Sequence, residues 1–226
     1  MDLNNFYTYA FLETPSFPLT LPQGLASQVM LIHGDELSAI VEPGILFESL
    51  RNNDEKIIQM AVSHDRVIRE LYQQTTVLPL RFGTYFVSTE KLSIHLKSHY
   101  QEYRDKIKQI DGKTEFALKL IPRQPEELAP VEARGRNYFL AKKQQYQSYQ
   151  NFSLDQAKEK ANLIDLIKNI NQLPVFIQDQ EAEVKIYLLI NSQDKIWLLE
   201  KFLSWQQSCP HWDLFLEDCL PPYHFI

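Results

Sequence analysis

Ser63, His64 and Asp65 are consecutive and carry the three side-chain types of a hydrolytic relay: a hydroxyl nucleophile, an imidazole base and an orienting carboxylate. Their spacing defeats that chemistry. They fall inside a helical pattern, where neighbours point about 100° apart and cannot line up. His64 shares a stripe with Ile57, Ala61, Ile68 and Leu71, so it is expected to be buried and hydrogen-bonded in a core. His95 and His99 stand four apart, the spacing at which two imidazoles on one helix face can hold a metal ion. No third or fourth ligand lies near them, and they read as a solvated helix flank. Cys209-Pro210-His211 could supply ligands, but nothing in the sequence ties it to that pair. Arg81 lies in VLPLRFGTYF, residues 77–86. If Leu78, Leu80 and Phe82 face a core from a strand, Arg81 faces away. Two roles stand for it, a solvated arginine or an anchor for a carboxylate of another element or a partner. The six glycines lie too far apart to cradle a phosphate, which excludes a P-loop or Rossmann turn. No catalytic, cofactor or metal site is assigned.

The rest of the chain must account for itself as a folded body. With 226 residues, 44% hydrophobic and 23% charged, the composition is that of a globular protein. Lys and Arg number 23 against 29 Asp and Glu, a net charge of −6. Nucleic acid and anionic membrane surfaces both demand a basic footprint, so neither is an expected partner. The longest apolar runs, such as Tyr187 to Ile190, fall far short of the roughly 20 residues a membrane span needs. Met1-Asp2-Leu3-Asn4 opens no secretory signal, which points to the cytoplasm. Cys209 and Cys219 fit no zinc or redox spacing and are expected as reduced thiols.

The elements follow from periodicity. FYTYAFL (6–12) reads as a strand, and residues 29–32 and 38–41 as a hairpin around Gly34-Asp35-Glu36. A helix is expected over 54–72, capped by Asp54. Residues 77–86 read as extended. A second helix starts at the cap Ser88, carries the stripe Leu92, Leu96, Tyr100, Tyr103, Ile107 and Ile110, and stops at Asp111-Gly112. Next come a strand over 116–121, a proline-rich connector (121–130), and helical pattern over 135–170. Ser153 and Gln156 have capping-box spacing, which allows that pattern to break at Asn151. Strands 175–178 and 184–190 pair around residues 179–181, and a helix over 194–207 presents Ile196, Leu199, Phe202 and Leu203. A last strand, 212–216, and a tail, PPYHFI (221–226), complete the chain. The expectation is an α+β protein of two domains. Residues 1–112 form a small mixed sheet with two helices; residues 113–226 form a ferredoxin-like βαββαβ domain with a proline-rich tail.

Five ordered segments resemble the GvpF/GvpL family of gas vesicle proteins. They are His64-Asp65 on a helix, VLPLRFGTYF (77–86), the strand after Asp111-Gly112, GRNYFLAKK (135–143) and PPYHF (221–225). Where that family has Gly-Pro-Trp before the two prolines, this chain has Asp218-Cys219-Leu220. Length and single-copy organisation are closer to the F type than to the L type. The resemblance implies an accessory or minor structural role in building gas vesicles, with no catalytic activity. The implied partner is the hydrophobic shell protein GvpA, together with other gas vesicle accessory proteins. It also implies a place at the vesicle within the cytoplasm. The tail residues Tyr223 and Phe225 then stand beside His64 and Arg81 as structural or partner-docking candidates, the tail serving as a contact or a clasp. A small-molecule-binding or hydrolytic enzyme on the ferredoxin-like half is the competing reading, resting on His64, Asp65 and Arg81.

Overall fold

The computed structural model describes residues 5–45, 54–126, 135–170, 173–180 and 182–226. Parts of two expectations lie outside them: residues 127–130 of the connector and Glu181 in the turn. The fold class is α+β. Two compact units divide the chain, one made of Met1–Glu115 with Leu220–Ile226, the other of Phe116–Cys219. The proline-rich tail therefore groups with the first unit, whereas the sequence reading assigned it to the second domain.

The first unit is built on strand β1 (Phe6–Glu13), flanked by β3 (Leu37–Pro43) and by two short strands, β4 (Leu78–Pro79) and β5 (Tyr85–Phe86). Strand β2 (Met30–His33) adds to β3 through the expected hairpin, with His33 opposite Ser38. These pairings are all antiparallel, where a mixed sheet was expected. β1 is apolar along nearly its whole length because both its faces are covered. Its register against β3 shifts between Thr8 and Ala10. The extra residue flips the side-chain parity. Tyr7 before the bulge, Tyr9 in it, and Ala10 and Leu12 after it thus enter one core with Ile40, Met60, Val67, Ile68 and Leu71. Phe11 goes to the other face, against Phe86, His95 and Tyr103.

Helix α1 (Asp54–Tyr72) buries Met60, His64, Val67, Ile68 and Leu71, while Ile58 and Ala61 face out. The second expected helix is two: α2 (Thr89–Ser98), capped by the Ser88 hydroxyl accepting from Lys91 N, and α3 (Tyr100–Ile110). The break at His99 has no glycine or proline. The Ser98 hydroxyl and the His99 ring both turn back on the His95 carbonyl, and such side-chain bonds compete with the helical ladder.

The second unit runs β6 (Lys113–Pro122, its first residues lying in unit one), α4 (Arg136–Lys168), β7 (Val175–Asp179), β8 (Val184–Asn191), α5 (Lys195–Ser208) and β9 (Trp212–Leu216). The sheet order is β7-β8-β6-β9, which is what a ferredoxin-like unit requires. Its core gathers Leu118, Leu120, Ile167, Ile186, Leu188, Leu198 and Trp205. At about 1.5–3 kcal/mol per fully buried aliphatic side chain, this cluster holds the unit together.

α4 continues through Asn151 without a break. Ser153 does not cap a new helix; its hydroxyl donates back to Tyr149 O at 3.1 Å. Gln156 donates to Arg123 O and His211 O at 3.1 and 2.8 Å. α5 departs from its expected orientation. Leu198 and Trp205 are buried and Phe202 packs on the core, whereas Ile196, Leu199 and Leu203 face out.

Candidate interaction site

α1 brings His64 beneath β1, where only 6% of it is accessible. Its Nε2 lies 3.0 Å from Leu80 O. A carbonyl can only accept, so Nε2 carries the proton and Nδ1 is the acceptor. Tyr7 supplies what Nδ1 needs: its hydroxyl stands 2.9 Å away and in turn accepts from Gly83 N at 3.3 Å. Every polar atom in the chain Gly83–Tyr7–His64–Leu80 is thereby satisfied by a neutral imidazole. Burial holds the His64 pKa below its ordinary value, and burial pushes the Tyr7 hydroxyl up to about 12. Rings of Tyr9 and Phe82 enclose the imidazole.

Asp65 turns elsewhere. It accepts from Arg69 Nε at 2.6 Å and from the Tyr223 hydroxyl at 2.7 Å. Ser63 lies 3.4 Å from Arg66 Nη2. Arg81 is not on a strand. Residues 81–84 form a turn in which Thr84 N donates to Arg81 O at 3.1 Å and Gly83 adopts φ 87°. A positive φ at the third turn position suits glycine. The Arg81 side chain is exposed, and so is Phe82 in part. His64, Asp65 and Arg81 therefore do not converge. Two surface hollows, about 230 Å³ beside Gly34, Leu96 and Tyr100 and about 390 Å³ beside Gln156, Lys160 and Trp212, are lined by none of the three.

The tail closes onto the first unit. Leu220 exchanges both backbone bonds with Glu115, at 3.1 and 2.8 Å. The Glu115 carboxyl, fully buried, accepts from His224 N at 2.9 Å and meets His224 Nδ1 at 2.7 Å. Burial raises the Glu115 pKa, and the bonds from His224 oppose the rise. Tyr223 packs on the first core, and burial raises its pKa too. Phe225 is half-buried.

Periodicity missed a second buried carboxylate. Glu42 on β3 has no exposure and accepts from Tyr9 Oη (2.5 Å), Leu25 N (2.7 Å), Ala26 N (2.6 Å) and Ser27 N (2.6 Å). An acidic residue inside the apolar run LSAIVEP was its only trace in the sequence. Gly24 belongs to the same knot, because a Cβ there would collide with the Glu42 carboxylate.

His95 and His99, the pair with metal-ligand spacing, are each bonded to protein partners. His95 Nε2 meets Tyr103 Oη at 2.7 Å, and His99 Nδ1 donates to His95 O at 3.0 Å. His211 pairs with Glu159 at 2.5 Å. Among the described residues no group of three or more His, Cys, Asp or Glu could hold a metal ion. Cys209 and Cys219 are free thiols, the first buried and the second exposed.

Comparison with known proteins adds what geometry cannot. The family model for gas vesicle synthesis protein GvpL/GvpF matches residues 5–226. The chain belongs to the GvpL/GvpF family. Its fold is similar to the crystal structure of GvpF from Anabaena sp. PCC7120, with a TM-score of 0.70 at 18% identity over 98% of this chain and 95% of that one. It is similar also to GvpF from Microcystis aeruginosa, with a TM-score of 0.68 at 14% identity over 98% of both chains. No curated protein matches the chain significantly.

A GvpL/GvpF protein takes part in gas vesicle formation. Among the described residues no helix is long and apolar enough to cross a membrane. Two helices of the second unit present large apolar side chains to solvent. On α5 these are Ile196 (73% exposed), Leu199 and Leu203 (60%), one ridge at i, i+3 and i+7. On the first half of α4 they include Phe139 and Tyr146.

Proposed function

We propose that this GvpL/GvpF protein acts in gas vesicle nucleation and assembly by binding the shell protein GvpA and covering its apolar surface until it is incorporated. It does so without a catalytic step. The observation that carries this reading is the outward ridge Ile196–Leu199–Leu203. α5 is apolar on both sides, a pattern suited to a helix covered all round, yet it lies at the surface of its unit. An exposed apolar ridge of this kind marks a protein contact or an aggregation liability. A shell subunit with a large apolar face is the partner such a ridge would meet. Polar groups that could have served an enzyme already have partners within the fold: buried His64 with Tyr7 and Leu80, half-exposed Asp65 with Arg69 and Tyr223. Other gas vesicle accessory proteins are candidate partners for the remaining surface.

The test is turbidity of purified GvpA with and without this protein. Wild type should delay aggregation in proportion to its concentration. Leu199→Ser with Leu203→Ser, both exposed, should fold normally and lose at least half of that delay. An unaltered aggregation time with wild type would refute the proposal. Cells lacking the gene should form few or deformed vesicles.

A further inference from the structure

We propose that the first half of α4, Arg136 to Leu154, is a docking surface for an acidic amphipathic helix of another protein. This inference does not depend on the shell protein being the client of the α5 ridge. α4 has 33 residues but buries only Leu163 and Ile167 completely, both in its second half. The segment RNYFLAKKQQYQSYQNFSL exposes Phe139 at 73% and Tyr146 at 64%, with Tyr138 and Tyr149 beside them. It carries Arg136, Lys142 and Lys143 and no carboxylate, in a chain whose net charge is −6. This is a local reversal of sign.

The cations are also placed in one sector. At about 100° per residue, Lys142 lies one turn from both Tyr138 and Tyr146, and Lys143 one turn from both Phe139 and Tyr146. The far side holds only uncharged residues such as Asn137, Gln144 and Ser148. Rings offering area with a polar tip, bordered by charge, make up the composition of a protein interface.

The helix has little to hold it by itself. Its first turn has a cation at the positive end of the dipole and no acidic residue. Its Asn, Ser, Tyr and Phe are middling or poor helix formers, and most helical stability in a protein comes from packing an apolar face, which this half lacks. A partner that buries the rings and supplies carboxylates would answer both deficits.

Other occupants fit less well. Two copies paired antiparallel across this segment would set Lys142 and Lys143 against themselves. A membrane-surface helix separates its cations from its apolar face, and here they stand among the rings.

The test uses the full chain and two labelled peptides of equal length, one of Glu and Leu in heptads and one with Lys for Glu, followed by fluorescence anisotropy. Wild type should bind the Glu peptide with an affinity that falls as salt is raised, and should not bind the Lys peptide. Lys142→Glu with Lys143→Glu should weaken the Glu peptide at least about tenfold and create binding of the Lys peptide. Phe139→Ser with Tyr146→Ser should weaken binding about tenfold with the circular dichroism of the fold retained. Equal binding of the two peptides, or a charge-reversed variant that binds the Glu peptide as wild type does, would overturn the proposal. So would tighter binding to phosphatidylglycerol vesicles or single-stranded DNA than to the Glu peptide, or a wild-type dimer that the Phe139/Tyr146 variant dissociates.

Discussion

At the scale of single residues, the molecule spends its reactive groups on its own interior. His64 is the clearest case, because the Leu80 carbonyl dictates which nitrogen carries the proton and Tyr7 completes the other side. Tyr7→Phe removes the donor to Nδ1 and the acceptor of Gly83 N–H together, leaving one buried and one half-buried group unpaired. The expected loss is about 2 kcal/mol in urea unfolding, and a loss below about 0.5 kcal/mol would show the chain to be slack. The imidazole also sets an acid limit. Its folded pKa lies below the ordinary 6.5, so its contribution is fully present above that value. As pH falls below it, the unfolded chain takes up a proton that the folded chain refuses, and stability drops until the lowered value is reached. His64→Asn should flatten this acid limb as pH falls below about 6.5, read as unfolding stability against pH. That His64 shared a helix stripe was legible from spacing alone. That Glu42 and Glu115 are buried was not, because their partners are a loop backbone and a tail distant in sequence.

At the scale of elements, the sequence spoke clearly wherever one face was apolar and the other polar. α1 and the order of strands and helices in the second unit follow from that contrast, while β1 is marked by its run of aromatic and apolar residues and the β2–β3 hairpin by Gly34-Asp35-Glu36. It failed where the contrast was missing. α5 has apolar residues on both sides, so Ile196, Leu199 and Leu203 and the set Leu198, Phe202 and Trp205 are both valid helical stripes; the sheet selects the one with tryptophan. The break at His99 carries no glycine or proline, and the capping-box spacing of Ser153 and Gln156 serves other bonds. Arg81 was misplaced because β4 ends at Pro79, which cannot donate to a ladder, and a glycine turn follows. α4 itself has two unequal halves, and hydrogen exchange should resolve them. Amides of residues 156–168, packed on Leu163 and Ile167, should exchange at least about 100-fold more slowly than those of residues 138–150. Uniform protection along the helix would mean that its first half is stabilised without packing.

At the scale of the whole molecule, the first unit is discontinuous: the chain leaves it after Glu115 and returns at Leu220 to finish it. The returning segment supplies the two backbone bonds to Glu115, the Tyr223 bond to Asp65 and the His224 bonds to the Glu115 carboxyl. We read this tail as a clasp. Deleting residues 220–226 should therefore lower the melting temperature and speed amide exchange on β1, although β1 lies at the opposite end of the sequence. Glu115 determines how the clasp responds to pH. Burial raises its folded pKa, so its contribution is fully present below the ordinary carboxyl value of 4.5 and is lost as pH rises through the raised value. Burying the charged form of Glu115 is a cost that the bonds from His224 offset. Glu115→Gln removes the charge yet keeps an oxygen for His224 N–H and offers an amide to Nδ1, since a neutral imidazole nitrogen can accept as readily as donate. The substitution should hold the tail in place and leave stability at neutral pH equal to wild type or about 1 kcal/mol higher, while deletion of the tail lowers it. A Glu115→Gln protein that melts as early as the truncated chain would show that the ion pair, and not burial and backbone bonding, closes the clasp.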